Sequence, residues 1–244
     1  MWIHSWGYNL ALHAVAAVAM RHVHMTTELH PHAPFNYHDE VDMRIETLTN
    51  LGLGLGRVDG WVIMVPFTIP GELVRVRIYR NHKNYSDADL LEVLEPSAER
   101  ISPQCPLFGS CGGCQYQHMS YESQLAWKTD QVRNLLRNIP GATECVHPAI
   151  GSPKTYHYRS KLTPHYPRPK KGDTATLPIG FLKQGTTHSI IDVPECPIAT
   201  EAINEALPKL RAELRDKAVG FKRGGTLLIR HSREGVTQNS QAIV

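Results

Sequence analysis

Cys105-Pro-Leu-Phe-Gly-Ser-Cys111-Gly-Gly-Cys114 constrains this chain more than any other stretch. Three thiols at C-x5-C-x2-C spacing can converge on one metal centre, and the glycines let the backbone take positive φ and fold tightly around it. An all-cysteine iron–sulfur cluster or zinc site needs a fourth soft ligand. Cys196, in Val-Pro-Glu-Cys-Pro, is the best candidate: distant in sequence, but in a comparable proline-bracketed loop. As a ligand it would tie two remote segments together. Disulfides fit poorly, because five cysteines in 244 residues is a low density and nothing clearly marks the chain for export. Zinc ribbons usually carry two C-x2-C pairs and this chain has one, but spacing alone leaves zinc and iron–sulfur open. Cys145 follows a Pro-Gly turn without a cysteine neighbour and reads as an ordinary free thiol.

The stretch continues as Gln115-Tyr116-Gln117-His118-Met-Ser-Tyr121-Glu-Ser-Gln124-Leu125-Ala-Trp-Lys128. From Cys105 to Lys128 it resembles the cluster signature of the RNA (uracil-5-)-methyltransferases, C-P-x-F-G-x-C-G-G-C-x-x-Q-H-x-x-Y-x-x-Q-L-x-x-K. The resemblance implies a [4Fe–4S] cluster held by Cys105, Cys111, Cys114 and Cys196. The surroundings of Cys196, Ile190 to Ile198, are similar to those of the family's later cysteine, and Tyr158-Arg159-Ser160-Lys161 to its Y-R-x-K strand.

Upstream, Ile45 to Leu94 reads as a small β-barrel. Leu51 to Arg57 is a glycine-rich turn region, and Asp59-Gly60 is a hairpin signal between apolar runs. Trp61 to Pro66 is a buried strand. Leu73 to Ile78 alternates apolar with basic residues, one face inward and one in water. Leu90 to Leu94 closes the set. Short strands at this spacing suggest an OB-type barrel. Their order resembles a TRAM domain, the RNA-binding module that precedes the cluster loop in this family.

Charge qualifies that reading. Arg44 to Ser97 holds six Lys/Arg against seven Asp/Glu, so the barrel has no net basic footprint, although Arg75, Arg77, Arg80 and Lys83 cluster late in it and can form a local basic face. Between Lys154 and His188 there are seven Lys/Arg and one acid, with Tyr156, Tyr158, Tyr166 and Phe181 interleaved. Cations neutralise phosphates and rings stack on unpaired bases, so this segment suits looped RNA. Arg159, Lys161, Lys170 and Lys171 join Arg75 and Arg77 as RNA-facing candidates.

Two helices are expected. One is capped by Ser120 and runs to about Ile139, with Leu125, Val132, Leu135, Leu136 and Ile139 on one apolar side, stopped by Pro140-Gly141. The other runs from Ile198 to about Lys217, broken or restarted at Pro208. Strands are expected at Tyr156–Thr163, Ile179–Leu182, Ser189–Val193 and Gly225–Arg230. The fold class is therefore α+β. A leader over 1–43, expected to be disordered, carries seven of the fourteen histidines and precedes an OB-like barrel over 44–97. A mixed α/β domain built around the metal loop fills 98–244. The apolar run Tyr8 to Met20 is too short to span a bilayer. A net charge of +3 is compatible with RNA without demanding it.

The resemblance implies an S-adenosylmethionine-dependent enzyme acting on a uridine of 23S ribosomal or transfer RNA, in the cytoplasm, as a monomer. It also places the methyl-donor fold and the nucleophilic cysteine beyond the central domain. No strand–glycine-rich loop–helix unit is legible here, so these residues alone are expected to be inactive. Rival readings are a non-catalytic RNA-binding protein keeping the barrel and a structural metal centre, and a zinc-stabilised binding domain.

Overall fold

A computed structural model describes residues 33–169 and 174–242. Lys170 and Lys171, and most of the histidine-rich leader, lie outside the described residues.

The first unit is a closed five-stranded barrel. Its strands are β1 (Glu40–Leu48), β2 (Leu53–Val58), β3 (Trp61–Pro66), β4 (Leu73–Asn81) and β5 (Tyr85–Glu95), in the order β1-β2-β3-β5-β4, with β4 returning to β1. All pairings are antiparallel except β3 with β5. Strand β1 opens four residues ahead of the boundary drawn from sequence. The alternation in β4 has its expected result: Val74, Val76 and Ile78 enter the core with Ile45, Ile63 and Ala88, while Arg75 and Arg77 point outward. The Asp59-Gly60 signal is the β2–β3 turn, both residues at positive φ, with Val58 opposite Trp61.

The glycine-rich segment is not simply a turn. It supplies the last two residues of the four-residue β1–β2 connection and then strand β2 itself. Gly52 has φ of +78°, and a Cβ there would sit 3.0 Å from the Tyr116 ring. At Gly56 a Cβ would collide with the Arg44 carbonyl of β1, so this strand position admits no side chain.

The second unit is a six-stranded antiparallel sheet with one long helix packed on it. The sheet holds β6 (Lys161–Leu162), β7 (His165–Tyr166), β8 (Gly180–Leu182), β9 (Ile190–Asp192), β10 (Gly225–Ser232) and β11 (Gly235–Ala242). Its order is β11-β10-β7-β8-β9, with β6 also on β10. The helix, α2 (Glu201–Lys217), buries Ile203, Leu207 and Leu214 against Leu162, Ile179, Leu227 and Ile229. Pro208 lies inside α2 and does not break it. The cost is a missing N–H for the Asn204 carbonyl one turn earlier.

Helix α1 (Tyr121–Leu136) starts where Ser120 Oγ accepts the Ser123 amide at 3.2 Å. Its burial differs from expectation. Thr129 is its one buried residue, while Leu135 is 70% exposed and Val132 and Ile139 are exposed as well. The helix is held by other contacts. Trp127 packs on Leu48, Ile69 and Met119, and Gln131 Nε2 donates to the Thr49 carbonyl at 2.9 Å.

The two units meet through the residues flanking the cysteine loop. Glu72 of the barrel has no side-chain exposure, and Arg100 grips both its oxygens at 2.5 and 2.7 Å while donating to the Phe67 carbonyl at 2.9 Å. Burial alone would raise the Glu72 carboxyl, but the guanidinium and the amides of Ile69 and Ser97 outweigh it and hold it below the usual range. His118 stacks on Phe108 of the cysteine loop at 5.4 Å, and Phe67 meets Phe108 edge-on at 5.0 Å. Barrel and loop therefore share one small core.

Candidate metal centre and nucleic-acid interface

The cysteine loop is fixed at several points. It hydrogen-bonds to the sheet through Gly112 N to Leu182 O at 3.0 Å and Gln184 N to Ser110 O at 2.8 Å. Gln117 Oε1 accepts the Cys105 amide at 3.1 Å, and the Gly113 amide donates to Cys111 Sγ at 3.4 Å.

Cys196 arrives from the opposite side, in the loop between β9 and α2. Asn204, one turn into α2, grips it twice: Oδ1 accepts the Cys196 amide at 3.1 Å and Nδ2 donates to its carbonyl at 3.1 Å. The preceding strand is anchored by Arg211, which is 5% exposed. Arg211 binds both oxygens of Asp192 at 2.7 and 2.6 Å and donates to the carbonyls of Ile179 and Val193 at 2.5 and 2.9 Å. Neither Asn204 nor Arg211 was singled out from sequence. Both sit in an ordinary amphipathic helical pattern, and only the fold shows that they hold the cysteine loop.

Cys105, Cys111, Cys114 and Cys196 line one cavity of about 190 Å³, walled by Phe108, Leu162, Phe181 and Val193. All four thiols are free. Burial pushes the thiols of Cys111, Cys114 and Cys196 up, and the neighbouring sulfurs push further in the same direction. Such a site disfavours a set of thiolates unless a cation compensates them. A soft, all-sulfur donor set in an apolar shell fits an iron–sulfur cluster or zinc in its chemistry. Among the described residues, no three His, Cys, Asp or Glu side chains are grouped so as to hold a metal ion. Cys145 is exposed and lies outside the cavity, its thiol 3.4 Å from the Gly141 carbonyl.

Arg159 is placed beside Cys196 by a run of backbone bonds, His157 N to Pro197 O and Arg159 N to Ile198 O, and it lines the cavity. Lys161 is exposed on β6. Arg75 is engaged with Asp42 through two bonds at 2.8 and 2.9 Å, and Glu92 lies 4.0 Å away. Other barrel arginines are paired too, Arg44 with Glu95 and Arg57 with Glu46. Of the basic face expected late in the barrel, Arg75 is neutralised, while Arg77, Arg80 and Lys83 have no ion-pair partner among the described residues.

A second concavity, a groove of about 480 Å³, runs along the outer side of that loop between α1 and the segment from Ser152 to Arg159. No helix among the described residues is long and apolar enough to cross a membrane.

Comparisons with known proteins agree with this architecture. Residues 41–98 match the TRAM domain of tRNA (uracil(54)-C(5))-methyltransferase. The chain is 41% identical over 207 residues to the tRNA (uracil(54)-C(5))-methyltransferase of Schizosaccharomyces pombe, covering 82% of this chain and 39% of the relative. It is 35% identical over 200 residues to an uncharacterized RNA methyltransferase of Halalkalibacterium halodurans, covering 80% of this chain and 43% of that one. The crystal structure of Pyrococcus abyssi tRNA (uracil-54, C5)-methyltransferase in complex with S-adenosyl-L-homocysteine superposes with a TM-score of 0.57 at 23% identity, over 81% of this chain and 45% of that one, a likeness of fold. The chain spans about two-fifths of the length of the curated relatives it matches. The chain thus carries a TRAM domain over residues 41–98 and is similar, over about four-fifths of its own length, to RNA methyltransferases.

Proposed function

We propose that this chain is the RNA-recognition and cluster-binding portion of an S-adenosylmethionine-dependent RNA uracil-C5 methyltransferase acting on transfer RNA. The observation that carries the reading is the convergence of Cys105, Cys111, Cys114 and Cys196 on one apolar cavity beside a TRAM barrel. The names of the similar proteins favour transfer RNA over ribosomal RNA. S-adenosylmethionine is then the methyl donor of the whole enzyme, and no residue of this chain is assigned to it.

The four thiols would hold a [4Fe–4S] cluster. The four free thiols share one cavity, and the resemblance of Cys105 to Lys128 to the family's cluster signature carries the choice of an iron–sulfur cluster over one zinc. When bound, such a group supplies a cationic core that compensates the thiolates and ties the loop to the sheet. Methyl transfer to uracil needs no electron, so the role assigned is structural. Around it, Asn204 orients the Cys196 backbone, Phe108 and Phe181 exclude water, and Arg159 places positive charge beside Cys114.

Anaerobically purified protein should be brown and carry about four irons per chain, as a cluster held by four thiolates requires. Cys196→Ser should abolish iron retention, and Cys145→Ser should leave it unchanged. One zinc and no iron per chain would overturn the cluster assignment. RNA affinity should fall steeply with salt, since phosphate contacts release counterions.

A further inference from the structure

The groove outside the cysteine loop has a chemistry the four-thiol cavity does not. Its lining holds Lys128, Lys154 and Arg159 and no aspartate or glutamate. Neither lysine has an ion-pair partner among the described residues, and both are exposed. Four tyrosines join them, three with engaged hydroxyls. Tyr121 accepts the Ser152 amide at 2.6 Å, Tyr116 accepts from Gln131 at 3.3 Å, and Tyr156 lies 3.5 Å from Gln117 Oε1. Tyr158 differs. It is 54% exposed, and its hydroxyl has no hydrogen-bond partner among the described residues. Between Tyr156 and Tyr158 the backbone turns through His157 at φ of +56°, held by His157 N to Pro197 O at 3.0 Å and Nδ1 to Ala199 O at 3.2 Å. This left-handed residue is locked in place, and both flanking rings line the groove.

We propose that this groove is a subsite for an unpaired stretch of RNA, with Tyr158 as the stacking platform for a base and Lys128 and Lys154 as contacts to the adjoining phosphates. An exposed ring with no intramolecular partner is free to stack, and stacking tolerates any base but only where the base is unpaired. Unpaired cations with no acid among them complement a polyanion rather than a mixed protein surface. The volume falls within the range of ligand sites, roughly 300–1,000 Å³. Cys114 and Arg159 line both the groove and the four-thiol cavity, so the RNA subsite and the metal loop share a wall.

This inference rests on the RNA-binding part of the proposed function, and its test separates the two. Anisotropy titrations would use the full chain, purified anaerobically, with a labelled single-stranded oligouridine and with a duplex of equal length. Tyr158→Ala should weaken single-strand binding by roughly 5- to 150-fold, the range seen for loss of one stacked base. Tyr158→Phe should keep it, and duplex binding should change less than twofold. Lys128→Ala and Lys154→Ala should each lower the slope of log affinity against log salt by about 0.7, one phosphate contact to a single strand. Iron content and near-ultraviolet circular dichroism of each variant report whether the loop still folds, and ultraviolet crosslinking of bound oligouridine should label the tryptic peptide containing Tyr158. If the chain binds RNA and all three alanine variants bind single strands as tightly as the parent, with no crosslink at Tyr158, the groove is not the subsite and the RNA reading stands. If the parent binds neither oligouridine nor a tRNA transcript, both fall.

Discussion

Replacing Arg100 with Met tests the junction between barrel and cysteine loop. Glu72 is wholly enclosed, and its charge is compensated by two guanidinium bonds at 2.5 and 2.7 Å, with amide donors from Ile69 at 2.9 Å and Ser97 at 3.2 Å. Removing one partner of a buried pair costs about 3–5 kcal/mol, because the other charge stays buried. Arg100 is 23% exposed and the amides remain, which favours the lower end, about 3 kcal/mol. The pH dependence should also change sign. In the parent, the Glu72 carboxyl is held below 4.5, so its contribution is present above that pH and is lost as pH falls through the depressed value. Without Arg100, burial dominates and the carboxyl is raised, so the penalty grows as pH rises from about 4.5 toward neutrality. Urea unfolding at pH 7.5 and pH 4.5 measures both effects, followed by barrel and loop probes to detect a separate transition. The double variant Arg100→Met, Glu72→Gln should recover more than half of the loss at pH 7.5. A single-variant cost under about 1 kcal/mol, or a cost equal at both pH values, would show that the pair does not hold the junction.

His118 offers a second pH handle. Burial and the nearby Arg100 charge lower its imidazole from 6.5 to about 4, and its Nδ1 has no hydrogen-bond partner among the described residues. The unfolded chain takes up the proton first, so stability should fall by about 3 kcal/mol as pH drops from 6.5 to 4 and level off below; His118→Phe should flatten that window in a urea titration series. Asn204→Ala should lower iron retention while leaving the sheet intact by far-ultraviolet circular dichroism, since it frees the Cys196 backbone from two bonds at 3.1 Å, whereas unchanged iron content would show that the clamp is dispensable. Residues 1–244 should give a blank calorimetric titration with S-adenosylmethionine. Every sheet pairing in the second unit is antiparallel, leaving among the described residues no strand–helix–strand crossover for a nucleotide.

Local chemistry was the legible part of the sequence. The cysteine spacing, the Asp59-Gly60 turn, the alternation of β4 and the Ser120 cap each work over a few residues, and each appears in the structure. What escaped depends on neighbours distant in sequence. Gly54 and Gly56 look like turn residues, but they occupy strand positions where Thr68 and the backbone of β1 leave no room for a side chain. Leu135 and Val132 carry the right period for a buried helix face, yet the barrel meets α1 on Trp127 and Gln131 instead. Strand β11, Gly-Val-Thr-Gln-Asn-Ser-Gln-Ala, has no apolar alternation and was missed, because it is an edge strand held by its ladder to β10. Pro208 looked like a breaker, but α2 is fixed along its length by Ile203, Leu207 and Leu214, and tertiary burial outweighs one lost bond. At the candidate site the four thiols were legible. The groups that hold them, Asn204 and Arg211, were not.

The clamp on Cys196 also bears on the order in which the chain is made. Three of the thiols lie in a loop docked on a barrel that is complete by Glu95, so they are presented early in synthesis. The fourth is positioned only when α2 has formed, and α2 gains its footing from Leu227 and Ile229 of β10, near the last of the described residues. Emerging at about 5–20 residues per second, the chain therefore spends several seconds with a half-built thiol nest exposed. Growth in iron-poor or oxidising conditions should damage this protein mainly in that interval, during translation and before the nest closes.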